Sequence, residues 1–263
     1  MKNIMNYKKR LIIFVVAIVG MMDIAVCQNR TYSVNGVEFV MVEVDGGNFT
    51  MGNKSRRAKD KYKKEYPAHI VTVSSFCIAE TEVTQALWTA VMGNNPSYFV
   101  GDNRPVEQVS WKDVQVFLQK LNELTGMNFR LPTEAEWEFA ARGGNYRKKD
   151  KFSGGNSVSD VGWCAENSGM ETHDVKTLKP NELGLYDMTG NVGEWCNDWK
   201  GPYDPSIKED PQGAEFGTYR VLRGGSCVHR ANDCRVLARD SAKPEYEYKG
   251  FGFRLALSVN STK

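Results

Sequence analysis

The chain lacks the residue patterns of several common classes of protein and site. It has only three histidines, at positions 69, 173 and 229, and they lie far apart in the sequence. Its six cysteines form no Cys-x-x-Cys pair, so a structural zinc site is not expected. The net charge of +2 is too near balance to indicate a nucleic-acid partner. No apolar run reaches the ~20 residues that a membrane-spanning helix needs.

Residues 1–27 have the composition of a secretory signal peptide. A basic stretch at 2–10 precedes a short apolar run at 11–22, and the segment ends in Ala-Val-Cys, with small residues at the two positions that define cleavage. The mature chain is therefore expected to begin at Gln28, in the periplasm, in the cell envelope or outside the cell. The alternative is a lipoprotein with its lipid on Cys27, the only case in which membrane association is expected.

Export would place the cysteines in an oxidising compartment. An odd number of cysteines leaves at least one thiol unpaired or paired with another chain. Cys234 is open to three interpretations: a buried structural thiol, a disulfide with Cys196, or a disulfide with Cys227. Five cysteines remain after cleavage: Cys77, Cys164, Cys196, Cys227 and Cys234.

Alternation of apolar and polar residues predicts several short strands. Residues 38–52 alternate around a Gly-Gly pair and predict a β-hairpin, and residues 69–84 predict a further strand. Beyond about residue 143 helical periodicity disappears, and only short strands are predicted there, at 219–225, 234–239 and 250–257.

Helical periodicity is clear in the first half of the chain. Residues 84–93 predict a short helix, and a longer one follows Ser110, a candidate N-cap, with Asp113 in the first turn. Gly126 suits a left-handed C-terminal cap. The longer helix carries one apolar stripe: Val114, Phe117, Leu118, Leu121 and Leu124.

A third helix is predicted at 134–142. Thr133 and Glu136 match a capping box, and the acidic residues of the first turns are favoured there by the helix dipole. Four arginines farther along the chain are interpreted as ion-pair partners that fix loops: Arg223, Arg235, Arg239 and Arg254.

The organisation predicted is one α+β domain over residues 36–263, preceded by a lead-in at 28–35. The second half is rich in glycine, asparagine, serine and aspartate, so its loops must be fixed by tryptophan anchors, buried ion pairs or bound cations. The basic stretch at 54–64 is interpreted as a solvated loop or as a contact for an anion.

Seven stretches together resemble the formylglycine-generating enzyme (sulfatase-modifying factor) family. They occur in the family's order and cover about residues 36 to 257. The resemblance implies the formylglycine-generating-enzyme fold, a variant of the C-type lectin fold with little regular secondary structure. The stretches are ETEVTQALWTAVMG, PVEQVSWKDVQVFLQKLN, FRLPTEAEWEFAARGG, GLYDMTGNVGEW, RVLRGGS, CRVLAR and GFR.

The resemblance also implies an active site. The family's enzymes oxidise a cysteine of a sulfatase to formylglycine with oxygen and a copper(I) ion held by two thiolates, ligands that suit this soft ion. The groove serine corresponds to Ser226 and the second copper cysteine to Cys234. The first copper cysteine corresponds to His229, and the family's groove tryptophan to Gly193. These departures predict weak or no copper(I) binding, with His229 as a groove residue.

The same resemblance implies a calcium site in the turn GLYDMTGNVGEW. Its ligands correspond to the side chains of Asp187 and Glu194 and the carbonyl oxygens of Gly190 and Val192. Calcium prefers six to eight such hard oxygen ligands. For Glu194 the alternative is a buried salt bridge.

Two functions follow from these observations. One is an oxidase that matures exported sulfatases. The other is a non-catalytic binding or assembly module of the same fold, with an envelope protein as partner. A non-haem iron oxidase is not expected, because the chain has three histidines and no room for a second helical domain.

Overall fold

The computed structural model describes residues 29–55 and 62–259. The predicted signal peptide and Cys27 lie outside the described residues. Three sheets form, with strand orders β1-β2-β5-β10, β3-β4 and β8-β7-β6-β9. The strands are β1 (Arg30–Val34), β2 (Val37–Val44), β3 (Gly47–Met51), β4 (His69–Val73), β5 (Phe76–Ala79), β6 (Gly193–Trp199), β7 (Arg220–Arg223), β8 (Asp240–Ala242), β9 (Phe251–Gly252) and β10 (Ala256–Ser258).

The three predicted helices are confirmed, because their signals are local. Ser110 and Asp113 form both bonds of a capping box, as do Thr133 and Glu136. Gly126 ends the longest helix in the left-handed conformation, with φ 69°. A short fourth helix was not predicted. The helices are α1 (Gln85–Met92), α2 (Trp111–Thr125), α3 (Glu134–Ala141) and α4 (Val158–Val161).

The predicted hairpin at 38–52 is wrong. β2 pairs with β1 and β5, whereas β3 pairs with β4 in a different sheet. Gly46 lies where the chain leaves one sheet for the other, and a Cβ atom there would lie 2.5 Å from the Val73 carbonyl oxygen. The predicted strand at 69–84 divides in the same way into β4 and β5.

The second half also differs from the prediction. The segment 234–239 forms turns, and β8 begins only after it. The segment 250–257 supplies β9 and most of β10, which lie in different sheets. β6 was not predicted, since it is buried on both faces and does not alternate. Leu124, assigned to the apolar stripe of α2, is 55% exposed.

Two apolar clusters form the core, and the central strands separate them. Along β5, Cys77 and Ala79 belong to one cluster while Phe76 and Ile78 belong to the other, as expected of side chains that alternate across a strand. α1 and α2 cover the first cluster, where Trp88 stacks on Phe117 with ring centroids 5.1 Å apart. In the described part of the chain no helix has the length and apolarity to cross a membrane.

Candidate functional site

The loop after β7 carries the candidate copper residues. Gly225 has φ +71°, and a Cβ atom there would lie 2.6 Å from the sulfur of Cys234, so only glycine lets this loop close over Cys234. The Ser226 Oγ and the Nδ1 of His229 are 2.8 Å apart and share a hydrogen bond. The loop therefore brings the three sequence-predicted residues to one place, as the resemblance implies.

Burial determines whether these residues can contact a substrate or a metal ion. Ser226 and Cys234 are both 0% exposed, and so is Cys227. The Cys234 thiol donates a long hydrogen bond of 3.8 Å to the Ser226 carbonyl oxygen. Burial raises the pKa of Cys234 strongly, and the charge of nearby Cys164 adds to this. Burial with Glu82 and Glu107 raises the pKa of Cys227 to about 12.

These thiols are therefore protonated at neutral pH when no metal ion is bound, and a copper(I) ion would have to displace the proton of each thiol that it bound. All five cysteines in the described residues are free and buried. Neither of the disulfides left open for Cys234, with Cys196 or with Cys227, is present among these described cysteines. The remaining interpretation, a buried structural thiol, is the one that the structure has.

The turn at 165–166 holds the loop of His229 in place by hydrogen bonds. The Ala165 amide donates to the His229 carbonyl oxygen at 2.8 Å, and the Glu166 carboxylate accepts from the Ala231 amide at 2.9 Å. A cleft of about 500 Å³ opens between this loop and residues 62–65, and His229 lies in its wall. His229 is thus the candidate copper residue that reaches an open surface.

The predicted calcium turn lies behind the loop. Asp187 has one carboxylate oxygen bonded to the Lys176 amide at 2.8 Å, and its other oxygen, Oδ1, is buried with no partner. Glu194 is bonded to Arg254 at 2.6 and 2.7 Å and to the Trp137 indole at 2.7 Å. The buried salt bridge held as the alternative for Glu194 is therefore present.

Sequence reasoning missed Glu82, which faces this turn. Its two oxygens accept from the Val192 amide at 3.0 Å and from the Asn191 side chain at 2.7 Å. Burial, with the charges of Asp187 and Glu194, raises the pKa of Glu82 well above its usual range. The one sequence feature that could have pointed to Glu82 is its position two residues before Thr84, the N-cap of α1.

The turn carries more negative charge than its one arginine offsets. Glu82, Asp187 and Glu194 are buried together with Arg254, and burial raises the pKa of Asp187 to about 6. No group of three metal-ligating side chains occurs within the described ranges. A cation here would need main-chain carbonyl oxygens, as the resemblance implies for Gly190 and Val192.

A second buried network lies under α3. Arg223 bonds Glu134 at 2.7 Å and Glu138 at 2.9 Å, and Arg239 bonds Glu134 at 2.5 Å. Arg235 pairs with Glu65 at 2.7 Å. With the Glu194–Arg254 pair, the predicted role of all four arginines is confirmed. The acidic residues of α3 are thus ion-pair partners in addition to their favourable helix position.

Comparison with known proteins identifies the family. Residues 33–259 match the family model described as "Sulfatase-modifying factor enzyme 1-like domain". The chain belongs to this family. Its α+β fold, with short strands in three curled sheets, is the formylglycine-generating-enzyme fold, the C-type-lectin-like variant predicted from the sequence.

Two curated proteins and one solved structure illustrate what the chain is similar to. The formylglycine-generating enzyme of Streptomyces coelicolor is 36% identical, over 68% of this chain and 61% of that enzyme. The chain thus spans about three fifths of that relative. The Chaperone protein LppX of Paenibacillus barcinonensis is 30% identical, over 95% of this chain and 98% of that protein. The solved structure of Treponema denticola variable protein 1 has a TM-score of 0.81 at 36% identity, covering 88% of this chain and 99% of that one.

The resemblance implies a groove tryptophan in the family's enzymes at the position of Gly193. It is buried at the start of β6 and pairs with Phe251 of β9. The chain therefore presents backbone where the enzymes are implied to present an indole. This second departure lies next to the loop of Ser226 and Cys234, because a Cβ atom on Gly193 would lie 3.5 Å from the Gly225 carbonyl oxygen.

Proposed function

We propose that the chain is a non-oxidising member of the family, an exported module that binds a partner protein and lacks thiol oxidation. One observation carries the proposal. The resemblance places His229 at the position of the first copper cysteine, and the Nδ1 of His229 is already bonded to Ser226. Cys234, which the resemblance implies as the second copper cysteine, is a fully buried thiol with a raised pKa.

The burial of Ser226 supports the same function. A serine that positions a substrate must touch it, yet Ser226 is 0% exposed and its hydroxyl is bonded within its own loop. The relative that matches over nearly its whole length also supports it, since that protein is named a chaperone. The formylglycine-generating enzymes match over a smaller share of both chains. An exported sulfatase or another envelope protein is the proposed partner.

Export is part of the proposal and depends on residues 1–27. A cleaved signal peptide would release the chain to the periplasm, the cell envelope or the medium, and lipid on Cys27 would hold it at a membrane. Buried free thiols are compatible with this, because burial protects a thiol from oxidation.

Copper(I) titration tests the proposal directly. The wild-type protein is expected to bind copper(I) weakly against a competing chelator. The substitution His229→Cys supplies the second thiolate and is expected to create one tight site per chain. His229→Ala is the matched control, since it removes the imidazole without adding a thiol, and it should bind as weakly as wild type. Tight binding by wild type that Cys234→Ser abolishes would contradict the proposal.

We also propose a structural calcium ion in the turn at 184–192. Asp187, with its unpartnered buried Oδ1, and the carbonyl oxygens of Gly190 and Val192 would hold it, with Glu82 beside them. A divalent cation would balance the charge that Arg254 leaves uncompensated, and mixed carboxylate and carbonyl ligands suit calcium. Glu194 remains a candidate ligand, although Arg254 and Trp137 already bond its oxygens.

Calcium is expected to raise the unfolding temperature relative to protein in chelator. A ligand at a hundred times its Kd adds about 2.7 kcal/mol to the free energy of unfolding, which corresponds to about 5–10 °C for a domain of this size. Asp187→Asn should lose most of this increment, whereas Asp102→Asn, at an exposed position, should keep it. An equal unfolding temperature of wild type with and without calcium would rule the site out.

A further inference from the structure

A groove of about 1110 Å³ lies beside Lys200, where residues 66–68 face the turn at 200–202. Its surface is largely apolar and includes Tyr66, Pro67 and Pro202. Among the described residues that line it there is no carboxylate. The cations that line it number five: Lys54, Lys63, Lys64, Lys200 and Arg239.

Arg239 and Lys200, the two less exposed cations of the groove, differ in whether their charge has a partner. Arg239 is fully engaged, since it makes two bonds to Glu134 and stacks on Tyr203 with its guanidinium 3.7 Å from the ring centroid. The Nζ of Lys200 is buried and has no hydrogen-bond partner. A buried ammonium without a partner is costly, so a ligand that supplies an oxygen there gains more than it would at an exposed lysine.

The shape of the surface favours an extended ligand. The groove adjoins the cleft that contains His229, because Lys63, Lys64 and Arg239 line both. Small-molecule sites usually hold about 300–1,000 Å³ and enclose the ligand, whereas these two adjoining cavities are open along one side of the protein. An extended peptide can lie along the groove beside Lys200, with apolar side chains against the prolines and carboxylates toward the cations.

We propose that this groove binds an extended acidic peptide segment of the partner protein, with one carboxylate of the peptide paired to Lys200. The proposal rests on the proposed function, since it names the chemistry of the segment that the binding module recognises. The specificity comes from charge, because the lining offers cations and no described anion, and an acidic segment is attracted where a basic one is repelled.

The environment of Lys200 gives the site a pH dependence. Burial lowers the pKa of Lys200 to about 7; Glu134 opposes this, while Arg239, Arg223 and Lys64 add to it. A bound carboxylate stabilises the ammonium form, so binding takes up a proton once the pH exceeds this value. The affinity for an acidic peptide is therefore expected to fall as the pH rises through about 7.

Fluorescence anisotropy with two labelled peptides tests the proposal. One peptide alternates leucine with glutamate, and the other has glutamine in place of each glutamate. Wild-type protein should bind the acidic peptide more tightly, and Lys200→Met should weaken that binding by about tenfold or more, the loss expected for a charge-assisted hydrogen bond. Lys200→Met should leave the binding of the glutamine peptide unchanged and should remove the pH dependence. Lys120→Met, which removes an exposed charge on α2, should change nothing.

Two results would overturn the proposal. One is equal affinity of wild type for both peptides. The other is unchanged binding of the acidic peptide by Lys200→Met, with unfolding curves showing that the variant is folded. Lys64→Gln gives a second readout at an exposed position and should weaken acidic binding by a few-fold. Copper-dependent oxidation by wild type would overturn the proposed function and leave the peptide selectivity standing, so the two failures are distinguishable.

Discussion

Replacing Arg223 with methionine is expected to lower the free energy of unfolding by about 3–5 kcal/mol, the cost of removing one partner from a buried ion pair. Arg223 is 1% exposed and bonds both Glu134 and Glu138. Its loss leaves two buried carboxylates with fewer partners. The unfolding temperature should fall by about 10 °C. Lys112→Met is the control, because Lys112 forms an exposed pair with Glu245 at 3.9 Å and should have little effect.

The same substitution should change how stability depends on pH. Burial alone would raise the pKa of Glu134 and of Glu138, but neighbouring arginines hold both pKa values below their usual range. Arg239 and Arg223 lower the pKa of Glu134. Arg142 and Arg223 lower the pKa of Glu138. A depressed carboxyl pKa adds stability that is present above the ordinary glutamate pKa of ~4.3 and lost as the pH falls below it. Wild type should therefore lose stability steeply on acidification, and Arg223→Met less steeply. Parallel curves would contradict this role of Arg223.

The helices could be predicted because their signals lie within a few residues of each other. Ser110 and Asp113 form a capping box whether or not the rest of the chain is known, and the same holds for Thr133 and Glu136. The strands could not be placed in sheets, since pairing depends on distant partners. β2 and β3 are neighbours in sequence, yet β2 pairs with β5 and β3 with β4.

The candidate site, too, could be predicted only where its residues lie close together in the sequence. The resemblance placed Ser226, His229 and Cys234 in one loop, and the structure brings them together. The role of Glu82 could not be predicted, because its partners Asn191 and Val192 lie more than a hundred residues away. Nor does a sequence pattern reveal that Cys234 is fully buried, which depends on the packing of the whole loop.

The wild-type protein is expected not to convert a peptide cysteine to formylglycine. The conversion replaces a CH2SH group by an aldehyde and needs a copper ion held where substrate can reach it. Here Cys234 is fully buried with a raised pKa, and His229 stands where the family's enzymes are implied to have the other thiolate. Because two thiolates hold the copper ion together in the family's enzymes as implied, the absence of one should abolish the activity completely and not partially.

The most direct measurement incubates wild-type protein with copper(I), oxygen and a peptide that carries a sulfatase Cys-x-Pro-x-Arg segment, and follows the peptide by mass spectrometry. A family member that does oxidise such peptides serves as the positive control. We predict that the mass of the peptide stays unchanged while the control enzyme converts it to the aldehyde. Copper-dependent turnover by the wild-type protein, lost in Cys234→Ser, would contradict the account of this chain as a non-oxidising binding module.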